Sequence, residues 1–201
     1  MKIGPKYKIA RRLGAPIFEK TQGPKYALSL ARKERTTARR GRPKSEYGLQ
    51  LLEKQKARYS YGMTERQFRI CVDKALRSSS PVQKLFVLLE TRLDNTLFRA
   101  GIAKTRSAAK QIAGHGHALV NGRRVTIPSM SLKLGDKVSI REASAGSMLF
   151  SDAADRMKTL AAPAWVKVDP EQRVAEVVGE PVYVPGEQLF DLGVVIEFYN
   201  R

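Results

Sequence analysis

Apolar residues recur at helical spacing through the middle of the chain, with polar ones filling the opposite faces. From Glu46, Leu49, Leu52 and Tyr59 share one side and Lys54 and Arg58 the other, until Gly62 ends the run. Thr64-Glu65-Arg66-Gln67 forms a capping box, in which the Thr and Gln side chains satisfy free amides at a helix start. Phe68, Cys71, Val72, Ala75 and Leu76 give that helix its inner stripe, while Arg66, Arg69 and Arg77 project outward. Val82 to Glu90 is strongly apolar through Leu85, Phe86, Leu88 and Leu89, which predicts a packing hub. Two short helices should follow. In Arg92 to Ala100, Leu93, Leu97 and Ala100 line up, and Arg92, Thr96 and Arg99 fall on a neighbouring, solvent-facing stripe. The second opens near Thr105, buries Ala108, Ala109 and Ile112, and sets Arg106 and Lys110 one turn apart on its outer face.

The period then changes from helix to strand. His117-Ala-Leu-Val-Asn-Gly-Arg-Arg-Val125 places Asn121-Gly122 between two β-prone runs, the strongest short hairpin signal available. Strands are predicted at Lys137 to Arg141, entered through a Gly135-Asp136 turn, at Trp165 to Val168 and at Arg173 to Val178, with a helix near Ser151 to Leu160. The stretch Val194 to Tyr199 is apolar and β-prone and should be docked. The alternation lacks regular βαβ units, so the expected class is α+β: helices, then a helix-helix-hairpin module with a small, mostly antiparallel sheet. Residues 1–45 are rich in Lys, Arg, Gly and Pro, with scattered apolar positions. They are expected to form a basic extended arm that orders only against a partner; the alternative is a solvated tail.

Charge says what the partner is. The chain has 201 residues, 37 Lys+Arg against 19 Asp+Glu, and a formal net charge of +18. An excess this large opposes compaction by self-repulsion and points to a polyanion. Residues 1–90 hold 22 basic and 7 acidic side chains and residues 143–201 hold 5 and 9, so the polyanion should meet the first two-thirds. No apolar run approaches a bilayer span, the N-terminus has no apolar signal core, and the cations are spread over several elements; no membrane partner is expected. Cys71 is alone, which rules out an internal disulfide or cysteine zinc site and makes the cytosol the natural compartment. It reads as a small core residue.

Four motifs, in order, carry a resemblance. They are Glu46-Tyr47-Gly48-Leu49-Gln50-Leu51-Leu52-Glu53-Lys54-Gln55-Lys56-Ala57-Arg58, Tyr61-Gly62-Met63-Thr64-Glu65-Arg66-Gln67-Phe68-Arg69, Arg92-Leu93-Asp94-Asn95 and His117-Ala118-Leu119-Val120-Asn121-Gly122-Arg123. Together they resemble the bacterial-type fourth protein of the small ribosomal subunit, from Gly4-Pro5-Lys6 to Glu197-Phe198-Tyr199. The resemblance implies a structural, non-enzymatic component that binds small-subunit (16S) rRNA at a multi-helix junction, nucleates assembly of the subunit body and contributes to translational accuracy. It also implies neighbouring small-subunit proteins as partners, especially the fifth, with mRNA near its entry channel, and a cytoplasmic place in the small ribosomal subunit. It divides the chain into an arm at 1–45, a helical domain at 46–90 joined by 181–201, and the RNA-binding domain at 91–180. Some family members hold a structural metal with cysteines in the first ~40 residues. No cysteine stands there in this chain, so neither metal nor other cofactor is expected.

Lysine and arginine meet closely spaced phosphates, and arginine can grip one with two bonds. Such contacts give affinity and register rather than base choice, so recognition should rest on the shape of a folded junction. The candidate contacts are Arg106, Lys110, Arg123 and Arg124, whose directions a helix face and a hairpin fix. Arg92, Arg99, His117 and Asn121 join them from the module, Lys54, Arg58, Arg66 and Arg69 from the helices, and Arg39, Arg40, Arg42 and Lys44 from the arm. Each cation could instead be an ordinary solvated charge. Tyr59 and Tyr61 could stack on bases, although Tyr59 shares a face with Leu49 and Leu52, which favours packing. His115 and His117 are too close together for a tetrahedral metal site without further ligands. Arg92-Leu93-Asp94 also resembles the aspartate motif of pseudouridine synthases, but Asp94 lies within the RNA module and reads as an early-turn acid favourable to the helix dipole. The alternative function class is an RNA-modifying enzyme or accessory RNA binder built on the same module.

Overall fold

The structure is a computed structural model describing residues 3–36 and 45–200. Its helices are α1 (Lys6–Leu13), α2 (Pro24–Thr36), α3 (Glu46–Ser60), α4 (Glu65–Ala75), α5 (Pro81–Glu90), α6 (Leu93–Arg99), α7 (Arg106–Gly114), α8 (Glu142–Ala145), α9 (Ala153–Thr159) and α10 (Leu192–Tyr199). The strands are β1 (Ala118–Val120), β2 (Arg123–Val125), β3 (Lys137–Ile140), β4 (Val166–Asp169) and β5 (Val174–Val177). The chain divides into two units: Met1–Leu85 with Val184–Arg201, and Phe86–Tyr183.

The first unit corrects the expectation of an extended arm over 1–45. Its described part is helical and has a core of its own. Ala10 and Leu13 of α1 bury together with Ala15, Ile17, Phe18 and Tyr26, and Leu52 and Tyr59 of α3 pack against them. Gly14, left-handed at φ 69°, stops α1, and its amide reaches back to the Ala10 and Arg11 carbonyls. Tyr7 meets Tyr26 at 5.3 Å, and Phe18 meets Tyr59 edge-on at 6.2 Å. The apolar positions are scattered along the sequence because part of their packing surface stands on α3, some forty residues further along. Tyr59 and the buried Tyr61, which faces Phe190, are both packing residues, while Leu49 remains exposed. The capping box forms as expected, with Gln67 N donating to Thr64 Oγ1 and Thr64 N to Gln67 Oε1.

The β-prone stretch at 194–199 is also helical. Asp191 caps α10 by accepting the Gly193 amide at 2.7 Å, and its own amide donates to Glu53 Oε2 on α3. Leu192, Val195 and Ile196 are buried, and α10 packs along α3. Tertiary burial overrides the strand preference of Val and Ile. Glu65 ties this packing together: it accepts from Lys54 Nζ at 2.8 Å and Tyr199 Oη at 2.7 Å, with Arg58 Nε 3.4 Å away. Burial alone would raise the Glu65 pKa, but these hydrogen bonds and the Lys54 and Arg58 charges hold it below its ordinary value of 4.5. Burial and the Glu65 carboxylate push the Tyr199 phenol upward.

A carboxylate with a depressed folded pKa contributes stability that is present above its unfolded pKa and lost as pH falls through the folded one. The stability difference between wild type and Glu65→Gln should therefore stay constant above about pH 5 and shrink at lower pH. Urea unfolding followed by helical circular dichroism measures it. A difference that grew on acidification would contradict the assignment.

In the second unit all five strands pair antiparallel in the order β2-β1-β3-β5-β4. Ala118, Val120, Val138, Ile140, Val166, Ala175 and Val177 point to one face, where Leu93 and Leu97 of α6, Ala109 and Ile112 of α7 and Met157 of α9 complete the core. Gly101, at φ 78°, passes so close to α9 that a β-carbon would lie 3.2 Å from the backbone of Arg156 and Met157. Arg156 donates to the carbonyls of Gly101 and Ile102 there, which fixes the loop between α6 and α7.

Candidate nucleic-acid interface

The start of α6 is held from both sides. Its first two amides, Leu93 N and Asp94 N, donate to the carbonyls of Met130 and Pro128, satisfying groups a helix end leaves open. Arg92, its N-cap, turns inward rather than to solvent and is 5% exposed. Its Nε and Nη2 grip the two Asp94 carboxylate oxygens at 3.0 and 2.7 Å. Lys110 Nζ on α7 lies 3.7 Å from the same carboxylate. Burial, with help from Arg92, pulls the Lys110 pKa below its ordinary value, and Asp94 opposes both. Asp94, 4% exposed, is thus the shared anion of two cations and sits inside the unit.

A second buried acid organises the next turn. Glu90 accepts from Arg99 Nε and Nη2 at 2.8 and 2.9 Å and from Asn95 Nδ2 at 2.9 Å. Asn95 passes the constraint on, since its Oδ1 accepts from Arg106 Nε at 2.8 Å. The Arg106 guanidinium also lies over the Phe98 ring, 4.5 Å from its centre. Both side chains are part-exposed, Arg106 with its direction set by Asn95 and Phe98 and Lys110 with its direction set by Asp94.

The hairpin supplies the open side. Asn121 at φ 50° and Gly122 at φ 76° make the left-handed pair that a tight two-residue turn requires. Asn121 Oδ1 accepts the Lys137 amide at 2.9 Å and Nδ2 donates to Asp136 at 2.8 Å, so this side chain braces the turn. Arg123 and Arg124 follow on the edge strand β2, both exposed. Arg124 Nη2 donates to the His115 carbonyl, and a side chain at Gly116 would collide with its guanidinium. His117 Nδ1 is 2.9 Å from Ser144 Oγ. The uncovered sheet face holds a depression of about 700 Å³, but Lys137 and Lys167 share it with Asp169 and Glu176, so it is no cradle for anions.

The structure thus brings Arg106 and Lys110 together and leaves Arg123 and Arg124 open. It corrects the stripe expected to face solvent on α6, because Arg92 and Thr96 are buried and Arg99 is committed to Glu90. In the other unit Lys54 is only 7% exposed, paired with Glu65 and set 5.0 Å over the Phe198 ring, so it supports the fold rather than facing a phosphate. Arg58 is half-buried, bonded to Gln55 and stacked on Tyr59. Arg66 and Arg69 are exposed on α4. Arg39, Arg40, Arg42 and Lys44 lie outside the described residues. Sequence reasoning gave no role to Glu90, Asn95 or Phe98, although Asn95 stands in the Arg92-Leu93-Asp94-Asn95 motif and all three lie close to arginines along the chain. Among the described residues, no three His, Cys, Asp or Glu side chains group as a metal site, and no helix is long and apolar enough to cross a membrane.

Comparison with known proteins covers the whole chain. Residues 1–90 match the model of the ribosomal protein S4/S9 N-terminal domain, and residues 91–138 match the S4 domain. The small ribosomal subunit protein uS4 of Roseiflexus castenholzii is 41% identical over 202 residues, covering 99% of this chain and 98% of its own. The proteins of the same description from Latilactobacillus sakei and Salinibacter ruber are 39% and 38% identical, each over 204 residues and 98% of both chains.

Proposed function

This chain belongs to the family of the small ribosomal subunit protein uS4, and from that premise we propose that it is a structural component of the cytoplasmic small subunit that binds 16S rRNA directly. The observation that carries the site assignment is a cationic surface prepared in advance: Arg106 oriented by the buried Asn95 and Lys110 by the buried Asp94, with the exposed Arg123 and Arg124 in the same unit. Side chains already fixed lose less freedom when they close on phosphates than free ones would. Arg66 and Arg69 add contacts from the first unit, and Arg39, Arg40, Arg42 and Lys44 fall within its sequence range. Arg99 and His117 contribute from partly covered positions, and Asn121 acts by shaping the hairpin.

The finer roles proposed with it rest on the family resemblance alone. They are nucleation of the subunit body, a contribution to translational accuracy, a contact with the fifth small-subunit protein, and proximity to mRNA near its entry. Enzymatic chemistry has no support in the site, since Asp94 lies buried between two cations.

Footprinting of the purified chain on naked small-subunit rRNA tests the assignment, with binding measured across a salt series. For about eight neutralised phosphates the logarithm of affinity should fall with the logarithm of salt at a slope of roughly −6 to −7. An affinity almost independent of salt would remove the mechanism. Near-stoichiometric sedimentation with small subunits should accompany it, whereas transient association would point to an accessory binder.

A further inference from the structure

We propose that the cleft between α7 and the 3-10 turn Met148–Phe150 is a pocket for one unpaired nucleobase of the rRNA. The proposal rests on the rRNA-binding reading above and adds base recognition to a surface otherwise suited only to phosphates.

The cleft encloses about 100 Å³ and is lined by Ala108, Gln111, Ile112, His115, His117 and Leu149. Its apolar lining is Ala108 and Ile112 on α7, with Leu149 at the rim. Three side chains at its walls can hydrogen-bond. His117 is oriented by its Nδ1 contact with Ser144 and stands edge-on to Phe150 at 6.1 Å, which leaves Nε2 as its unengaged nitrogen. The His115 ring lies 6.0 Å from the His117 ring, with 36° between their planes. Among the described residues the Gln111 carboxamide and the His115 ring have no hydrogen-bond partner. Met148, 92% exposed, extends the apolar rim on the same turn as Leu149.

A flat aromatic ligand with a hydrogen-bonding edge suits this arrangement. Unpaired RNA bases are read by stacking on aromatic side chains, histidine included, and by hydrogen bonds to their edges. Gln111 offers both a donor and an acceptor for such an edge. Next to the cleft, Arg124 bonds the carbonyl of the lining residue His115 through Nη2 and is exposed, so its other N–H groups can meet the phosphate of the same nucleotide. An apolar side chain from a neighbouring protein would use the apolar lining but not the polar walls or Arg124.

The experiment uses the full chain with a small-subunit rRNA transcript. Dimethyl sulfate and a carbodiimide together probe the pairing edges of all four bases. The variants are Gln111→Ala, which removes the edge reader from an exposed helical site, and Ala108→Leu, which fills the cleft. Wild type should protect an unpaired base that regains reactivity in both variants. The Kd should rise roughly 5- to 150-fold with the salt slope unchanged. Trp165 emission confirms that the unit is folded. Wild-type affinity and protection in both variants would overturn the pocket, including the case in which a protein side chain fills it. A slope that shrinks by about 0.7 with the affinity would make the site a phosphate contact and also overturn it. Failure of wild type to bind the transcript would instead strike the rRNA reading itself.

Discussion

Replacing Asp94 with asparagine is expected to destabilise the Phe86–Tyr183 unit by about 3–5 kcal/mol, the usual cost of removing one partner from a buried ion pair. Arg92 would keep its charge at a site where 6% of its side chain reaches solvent, and Lys110, already pulled below its ordinary pKa by burial, would lose the anion that opposes the shift. Trp165 is the chain's single tryptophan and lies in the core of this unit, so its fluorescence during denaturant unfolding reports the loss directly. Replacing Arg92, Asp94 and Lys110 together by Met, Leu and Met should recover most of the stability, because buried ions exchanged for apolar volume are often neutral. A loss below about 1 kcal/mol for Asp94→Asn would class the pair with exposed salt bridges and undo the account of how Lys110 is held.

Removing Arg106, Lys110, Arg123 and Arg124 together should weaken rRNA binding by about three orders of magnitude and flatten the salt slope by roughly 3. The four are not equivalent. Arg123→Ala with Arg124→Ala should reduce affinity while leaving unfolding stability within about 0.5 kcal/mol, since both side chains are exposed on an edge strand. Arg106→Ala should lower both, because it also strips a hydrogen bond from the buried Asn95 and the stack from Phe98. Titrations across a salt series, paired with unfolding curves, separate the two effects. Protection of the transcript unchanged in the quadruple variant would remove the main site assignment.

What sequence could and could not reveal follows the range of the interactions involved. Leu93, Leu97 and Ala100 define one turn-by-turn stripe, and Asn121-Gly122 a local backbone requirement, so α6, α7 and the hairpin were readable from neighbours along the chain. Lys54 and Arg58 looked like surface cations because Glu65 and α10, which cover Lys54, lie beyond helical reach. An amphipathic reading puts Arg92 and Thr96 outside because it assumes that one face of a helix is wet. At α6 the segment around Pro128 to Ser131 closes that face. The helical character of 194–199 was hidden for the same reason: its β-branched residues become helical only against α3.

The pairing of α3 with α10 has a consequence for the order in which the molecule matures. A growing polypeptide presents Phe86–Tyr183 as one continuous stretch, able to close its sheet as soon as β5 has emerged. The helices before it must wait for Leu192–Tyr199 before Lys54 and Glu65 acquire their final covering. The portion made first is therefore the portion completed last, and in the interval its basic helices are without their closing partner.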